Sequence, residues 1–167
     1  FSMDAAWAFT VAALLWVYLG IQKGQVTQDG LTGLNNRRRL DQYMWELDER
    51  SGERETCCYL LMDVNKFKKV NDTYGHVTGD EVLRLVAEQL KRTFGNMQAF
   101  LARYGGDEFV VIVKGKTQDE MDVIIHQTQE NVNAIAWGAD TPWRLSISIG
   151  CAMRGEQGKQ KSHELLA

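Results

Sequence analysis

The chain has 167 residues, of which 44% are hydrophobic and 25% are charged, a balance typical of a globular protein rather than a disordered one. Its formal net charge is −3, so it lacks the broad basic surface that binding to a nucleic-acid backbone requires. Nucleic acid is therefore not expected as a partner. A small phosphorylated ligand, which needs only a local cluster of donors and a metal ion, is compatible with this charge.

The first segment is apolar. No charge occurs in the stretch AAWAFTVAALLWVYLGI, and its only polar side chain is that of Thr10. A helix there would be apolar on all sides, as in a membrane span or a fully buried helix, and Trp7 and Trp16 suit a membrane interface. The basic residues that follow would place the rest of the chain in the cytoplasm. We predict a hydrophobic helix at residues 4–22 in the inner membrane; the alternative is a packing helix in a cytoplasmic protein.

A helix and a strand are predicted next along the chain. Apolar residues recur on one helical face from near Asn36 to Ser51. The run CCYLLM that follows is typical of a strand covered on both faces, and it stops at Asp63. Because adjacent side chains of a strand point to opposite faces, we expect Cys57 and Cys58 to be packing residues rather than parts of a disulfide framework.

Capping boxes predict where two later helices begin. The segments TGDE at residues 78–81 and TQDE at residues 117–120 both have the pattern. Between them, two strand segments are joined by a tight turn at Gly105-Gly106. Alternating side chains from Trp143 to Ala152 predict a last strand with one solvated face. This order of elements favours a sheet with helices packed on it.

Three carboxylates are predicted to meet at one end of that sheet. Asp63 closes the CCYLLM strand, and Asp107 and Glu108 lie beside the glycine turn. If the strands are neighbours, these like charges raise one another's pKa, unless a divalent cation lies between them. Mg²⁺ prefers a few carboxylates plus substrate phosphates to a complete protein cage. Taken alone, an acidic turn after Gly-Gly is more often just a hairpin.

Polar residues between the two acidic segments suit a nucleotide. Lys66 and Lys68 are candidates for contacts with phosphate, and Asn71 and Asp80 are candidates for reading a base edge. Guanine offers N–H donors that suit a carboxylate, and an amide side chain can donate to its acceptors. For Asp80 the alternative is a favourable charge in the first turn of a helix. His76 is either a ligand or a hydrogen-bonding loop residue.

Several segments resemble one known family. RYGGDEF at residues 103–109 resembles the signature of the GGDEF family of diguanylate cyclases. Other segments resemble the family in the same order and spacing: DGLTGLNNRR at residues 29–38, DVNKFKKVNDTYGH at 63–76, Gly79-Asp80, and SISIG at 146–150.

The resemblance implies a palm-like α/β domain of the α+β sandwich type, with a mostly antiparallel central sheet flanked by helices and preceded here by the N-terminal hydrophobic helix. It also implies a division of the chain. We interpret residues 1–3 as a cloning remnant, 4–22 as the hydrophobic helix and 23–28 as a linker. Residues 29–167 are then the GGDEF domain, C-terminally truncated because family domains continue into a helix with basic phosphate contacts.

The implied reaction joins two GTP molecules into cyclic di-GMP and releases two pyrophosphates. Asp63, the Val64 carbonyl, Asp107 and Glu108 would hold two Mg²⁺ ions per half-site, or Mn²⁺. Asp107 would also accept the proton of the attacking 3′-hydroxyl, with Glu108 as the second catalytic residue. The implied substrate-binding residues are Asn71 and Asp80 for guanine, Lys68 and the backbone near Phe67 for phosphate, and Lys66 and His76 beside them.

Each subunit of such an enzyme holds one GTP, so the resemblance implies a homodimer. Many members carry an Arg-x-x-Asp product-inhibition motif before the signature, but the aligned positions here hold Asn96 and Ala99. Feedback inhibition through that site is therefore not expected. The alternative function is a catalytically silent module that binds GTP or cyclic di-GMP and passes a signal to a partner.

Overall fold

The computed structural model describes residues 7, 9–16, 27–50, 56–137, 144–154 and 161–166. Residues 9–16 are helical with exposed side chains. The remainder of the helix predicted at residues 4–22, and most of the linker predicted at 23–28, lie outside these described residues. Among the helices described here, none has both the length and the apolar character needed to cross a bilayer.

After residues 9–16, the described chain forms a four-stranded sheet with helices on both faces. In chain order the elements are α1 (Arg37–Glu49), β1 (Cys57–Val64), α2 (Phe67–Tyr74), α3 (His76–Phe94), β2 (Ala99–Gly105), β3 (Glu108–Lys114), α4 (Gln118–Asn133), β4 (Ile147–Arg154) and a 3-10 helix (Ser162–Leu165). The strand order is β2-β3-β1-β4, and every neighbouring pair is antiparallel. The predicted antiparallel sheet flanked by helices is confirmed.

Strand β1 separates two hydrophobic clusters. Cys58, Leu60 and Met62 pack in the cluster that also contains the buried residues of α3 and α4. Cys57 and Tyr59 point to the other face and pack with the buried residues of α1. This alternation follows from the pleat of a strand, and it confirms that the CCYLLM run is covered on both faces.

Two of the predicted helix starts are confirmed and one is wrong. Asn36 caps α1, its side chain accepting from the Arg39 amide at 3.0 Å, and Thr117 forms the predicted capping box at the start of α4. Helix α3, however, begins at His76, two residues before the predicted cap. Thr78 instead donates its hydroxyl to the Tyr74 carbonyl at 3.0 Å. The chain is already helical there because α3 follows α2 directly after one glycine.

Helix α2 was not predicted from the sequence, and two strand boundaries differ. The only buried residue of α2 is Val70, so its apolar periodicity is too short to be noticed. Strand β1 extends two residues beyond CCYLLM and includes Asp63. The last strand begins at Ile147, where pairing with Val64 begins, rather than at Trp143, which lies outside the described residues.

Candidate active site

The acids predicted to converge lie at one end of the sheet. In the pairing of β1 with β3, Asp63 stands opposite Glu108. The backbone amide of Val64 donates to the carbonyl of Asp107 at 3.2 Å, which joins the end of β1 to the turn before β3. The predicted adjacency of these residues is therefore confirmed by the strand register. Asp63 is exposed, whereas Asp107 and Glu108 are half-buried.

The electrostatics of this end of the sheet favour a cation. Loss of solvation, and then the negative charge of Asp107, raise the pKa of Asp63 above its ordinary value. Within the described residues, no group of three or more His, Cys, Asp or Glu side chains is arranged to enclose a metal ion. The chemistry of the carboxylates present is that of donors to a hard divalent ion, which commonly completes its shell with substrate phosphates and water.

Arg103 holds the turn that carries Asp107. Its Nε and Nη2 donate to the carbonyl of Gly106 at 3.0 and 2.7 Å, and its Nη1 donates to both carboxylate oxygens of Asp29 at 3.2 Å. Gly106 has φ 51°, a conformation that glycine adopts without steric cost. One guanidinium therefore ties this glycine turn to the segment that precedes α1.

Asp29 accepts hydrogen bonds from two residues, Arg103 and Thr32. The amide and the hydroxyl of Thr32 donate to its carboxylate at 2.9 and 2.7 Å. Burial alone would raise the pKa of Asp29, but the hydrogen bonds from Thr32 and Arg103 outweigh it and hold the pKa below its ordinary value. No sequence pattern assigned an individual role to Asp29 or Arg103. Only their opposite charges in two co-linear motifs hinted at this pair.

Asp29→Asn is expected to lower the free energy of unfolding by about 1–3 kcal/mol at neutral pH, because the variant loses charge-assisted hydrogen bonds. Since the pKa of Asp29 is depressed in the folded state, the wild-type advantage is complete above the ordinary value of 3.8 and is lost as the pH falls through the lower folded pKa. Urea unfolding of both proteins at neutral pH and below 3.8 measures this. The exposed Asp41→Asn is the control, and a pH-independent difference for Asp29→Asn would contradict the assignment.

The loop between β1 and α2 is tightly held. The side-chain amide of Asn65 donates to the Ser146 hydroxyl at 3.0 Å, and its oxygen accepts from the Ser148 hydroxyl at 2.7 Å. Lys66 follows with φ 59°, the one positive φ at a non-glycine residue among those described. No side chain caps α2, and the first amides of a helix have no acceptor within it. The amides of Phe67 and Lys68 at the start of α2 are thus available to an acceptor outside the helix.

A cationic cavity of about 300 Å³ adjoins this loop. Its charged lining residues are Lys66, Lys69 and Arg144, and Trp137 forms part of its wall. Of the predicted phosphate residues, Lys66 therefore lines the cavity, whereas Lys68 does not. Arg144 could not be predicted as part of this cavity, because it is distant in sequence from Lys66 and Lys69 and lies in no motif.

Asn71 presents an acceptor without a partner. Its Oδ1 is buried and is the one buried side-chain polar atom in the described part of the chain that has no hydrogen-bond partner. A Cβ built on Gly79 would overlap this oxygen and would lie 3.3 Å from the Phe67 ring. The glycine therefore makes room for the amide. A buried acceptor without a donor is costly, so an N–H donor that reached this oxygen would be favourable.

The other predicted substrate residues differ in their exposure. Asp80 follows Gly79 on α3 and is exposed, and His76, the first residue of α3, is also exposed. Phe67 is half-buried against the core. The structure thus places the Asn71 amide against Gly79, the residue before Asp80, while His76 and Lys68 are exposed.

Comparison with known proteins gives a consistent match. The sequence model described as "Diguanylate cyclase, GGDEF domain" matches residues 26–167. The chain is 32% identical over 127 residues to the probable diguanylate cyclase DgcC of Escherichia coli, covering 75% of this chain and 34% of that protein. It is 34% identical over 140 residues to the diguanylate cyclase DosC of the same organism, covering 80% of this chain and 29% of DosC. The chain therefore spans about a third of the length of these relatives.

A solved structure shares the fold. The crystal structure of the coiled coil and GGDEF domain of DgcB from Caulobacter crescentus, in complex with c-di-GMP, is 26% identical, with a TM-score of 0.78. The alignment covers 99% of this chain and 89% of that chain. The arrangement of helices around an antiparallel sheet is common to both.

Proposed function

The chain belongs to the GGDEF domain family of diguanylate cyclases, and from this premise we propose that it condenses two GTP molecules into cyclic di-GMP and two pyrophosphates. The proposal is supported above all by the register of β1 and β3, in which Asp63 stands opposite Glu108. The backbone carbonyl of Asp107 accepts a hydrogen bond from Val64 at the end of β1. Asp63 lies in sequence just before the α2–α3 pair that holds Asn71, and Asp107 and Glu108 follow that pair.

Guanine recognition is assigned to Asn71 and Asp80. The ring N–H and exocyclic amino group of guanine are donors, and the free Oδ1 of Asn71 and the carboxylate of Asp80 are acceptors. A donated hydrogen bond would remove the cost of the buried acceptor. Adenine has an acceptor where guanine has its ring N–H, so GTP is favoured over ATP.

Phosphate binding is assigned to the loop after β1. The amides around Phe67 at the start of α2, together with the side chain of Lys68, would hold the triphosphate, since helix N-termini favour anions. Lys66, Lys69 and Arg144 of the neighbouring cavity add positive charge. This local concentration of cations offsets the acidic net charge of the chain.

Divalent cations are assigned to the acidic end of the sheet, as two Mg²⁺ or Mn²⁺ ions per half-site held by Asp63, the Val64 carbonyl, Asp107 and Glu108. When bound, such ions supply charge neutralisation of the triphosphate and activation of the attacking oxygen. Asp107 is assigned the role of accepting the proton of the 3′-hydroxyl. Arg103 fixes the turn on which Asp107 stands.

Two copies are needed because each holds one GTP and each 3′-oxygen attacks the α-phosphate held by the other copy. We assign the hydrophobic segment at residues 4–22 to attachment at the inner membrane, with the GGDEF domain on the cytoplasmic side. Assembly of the dimer is then the step at which regulation acts.

Incubation of the chain with GTP and Mg²⁺, followed by chromatography and mass spectrometry, tests the proposal. We expect cyclic di-GMP and two pyrophosphates for each product molecule, and a rate per subunit that rises with protein concentration because the active species is a dimer. ATP serves as the control substrate and should give no cyclic product. GTP binding without any turnover, in a chain dimeric at the concentration used, would reject the enzyme and favour the silent signalling module.

A further inference from the structure

The cysteines of β1 and β4 form a thiol pair outside the site described above. The Sγ atoms of Cys58 and Cys151 are 3.1 Å apart, although the residues are 93 positions apart in sequence. We propose that this pair is a redox modification site, at which a peroxide converts the two thiols into a disulfide that cross-links β4 to β1. The proposal is independent of the cyclase activity.

The strand register explains why the two thiols meet. Cys58 stands opposite Met153, and Cys151 stands opposite Leu60 in the pairing of β1 with β4. The two cysteines are therefore diagonal neighbours, and diagonal side chains on one face of an antiparallel pair lie within reach of each other. Joining them needs only about 1 Å of approach, since an S–S bond is roughly 2 Å long.

The two thiols differ in their access to solvent. Cys151 is exposed on β4, which lies at the edge of the sheet formed by the described residues, whereas Cys58 is 1% exposed. Burial, the adjoining Cys151 and the charge of Asp122 on α4 raise the pKa of the Cys58 thiol. A solvent oxidant therefore reaches Cys151 first, and Cys58 stays a protected thiol beside it. This is the division of labour between a peroxidatic and a resolving cysteine.

The step balances with hydrogen peroxide as the oxidant. The Cys151 thiolate attacks one peroxide oxygen, the O–O bond breaks, and Cys151 sulfenic acid and hydroxide form. The Cys58 sulfur then attacks the Cys151 sulfur, the S–O bond breaks, and water leaves with the Cys58 proton. Two thiols and one peroxide give one disulfide and two waters, so the sulfurs lose two electrons and the peroxide gains them.

The disulfide would fix the position of β4 against β1. The same two strands hold Asp63 and the Asn65–Ser148 contact at their other end. Cys57 is not a competing partner, because it points to the opposite face of β1 and packs with the α1 cluster. It therefore provides an internal control in every experiment.

The test treats the chain with hydrogen peroxide, blocks remaining thiols under denaturing conditions, and maps peptides by mass spectrometry. We expect a linked pair of peptides containing Cys58 and Cys151, with Cys57 still alkylated, and full reversal by a dithiol reductant. The melting temperature should rise by about 5 °C or more on oxidation, because a long loop is closed. Reduction should return the melting temperature to its value before oxidation.

Two variants separate the roles of the thiols. In Cys58→Ala, Cys151 should accumulate as a sulfenic acid that dimedone traps, without a link. In Cys151→Ser, Cys58 should remain a thiol at the same peroxide dose. Wild-type Cys151 that proceeds to sulfinic acid beside an unchanged Cys58, a link through Cys57, or a cross-link only between chains would each overturn the proposal. These readouts do not depend on cyclase turnover, so they remain valid if the proposed function fails.

Discussion

Asp63→Asn and Asp107→Asn are each expected to lower the rate of cyclic di-GMP formation by roughly 10²–10³-fold, the usual effect of removing one preorganised electrostatic group. Asp63 is the last residue but one of β1, and Asp107 stands on the turn that is hydrogen-bonded to Val64, so each supplies one of the few carboxylates available to a cation. Steady-state kinetics at saturating GTP and Mg²⁺ measure the loss. A carboxamide keeps the shape of the side chain, so the effect reports the charge.

Stability measurements distinguish this loss from unfolding. Loss of solvation, and then the charge of Asp107, raise the pKa of Asp63 in the folded protein, which means that ionised Asp63 opposes folding above its ordinary pKa. Asp107→Asn should therefore make the metal-free protein slightly more stable at neutral pH while removing activity. The control is Asp41→Asn on the exposed side of α1, which should change neither quantity. If Asp107→Asn retained full activity, the assignment of catalysis to this end of the sheet would be wrong.

Gly79→Ala is expected to raise the KM for GTP about tenfold or more and to weaken the preference for GTP over ATP. The added Cβ overlaps the Oδ1 of Asn71, so the amide must turn away from the position assigned to guanine. Loss of one well-placed hydrogen bond to a nucleobase costs about this much. Alanine also favours a helix over glycine by roughly 0.5–1 kcal/mol, so α3 itself should not be weakened.

A double-mutant cycle makes this expectation specific. If Gly79 acts only by making room for Asn71, then Gly79→Ala should have little further effect on KM in an Asn71→Ala background. Gly150→Ala is the matched control, because a Cβ there would lie 3.9 Å from the Leu61 carbonyl oxygen, an ordinary contact. Fully additive effects of Gly79→Ala and Asn71→Ala on KM would contradict the assignment.

The acidic end of the sheet was predictable because it rests on short-range patterns. A continuous apolar run that ends in an acid, and a glycine turn followed by two acids, require only that their strands be neighbours. The capping box at Thr117 was also reliable, since its two hydrogen bonds involve residues three apart. The same pattern at Thr78 misled because the backbone there was already helical, and its hydroxyl turned back to Tyr74.

Features that depend on distant residues could not be predicted. Helix α2 has one buried residue, Val70, so its helical period is invisible in the sequence, although it places Asn71 beside Gly79. The Asp29–Arg103 pair joins residues 74 apart. Cys58 was correctly expected to be a packing residue, but its approach to Cys151 depends on the diagonal register of two strands. Such contacts are set by the fold, and no local pattern encodes them.

The position of β1 between two clusters has a consequence for evolution by insertion and deletion. Successive side chains of a strand point to opposite faces. A shift of β1 by one residue against β3 would therefore move Leu60 into the cluster that contains α1 and would turn Asp63 to the opposite face of the sheet. Core packing therefore fixes the position of Asp63 relative to the turn at Gly105-Gly106. Length changes within this strand should abolish folding and turnover together, without a partially active class of variants.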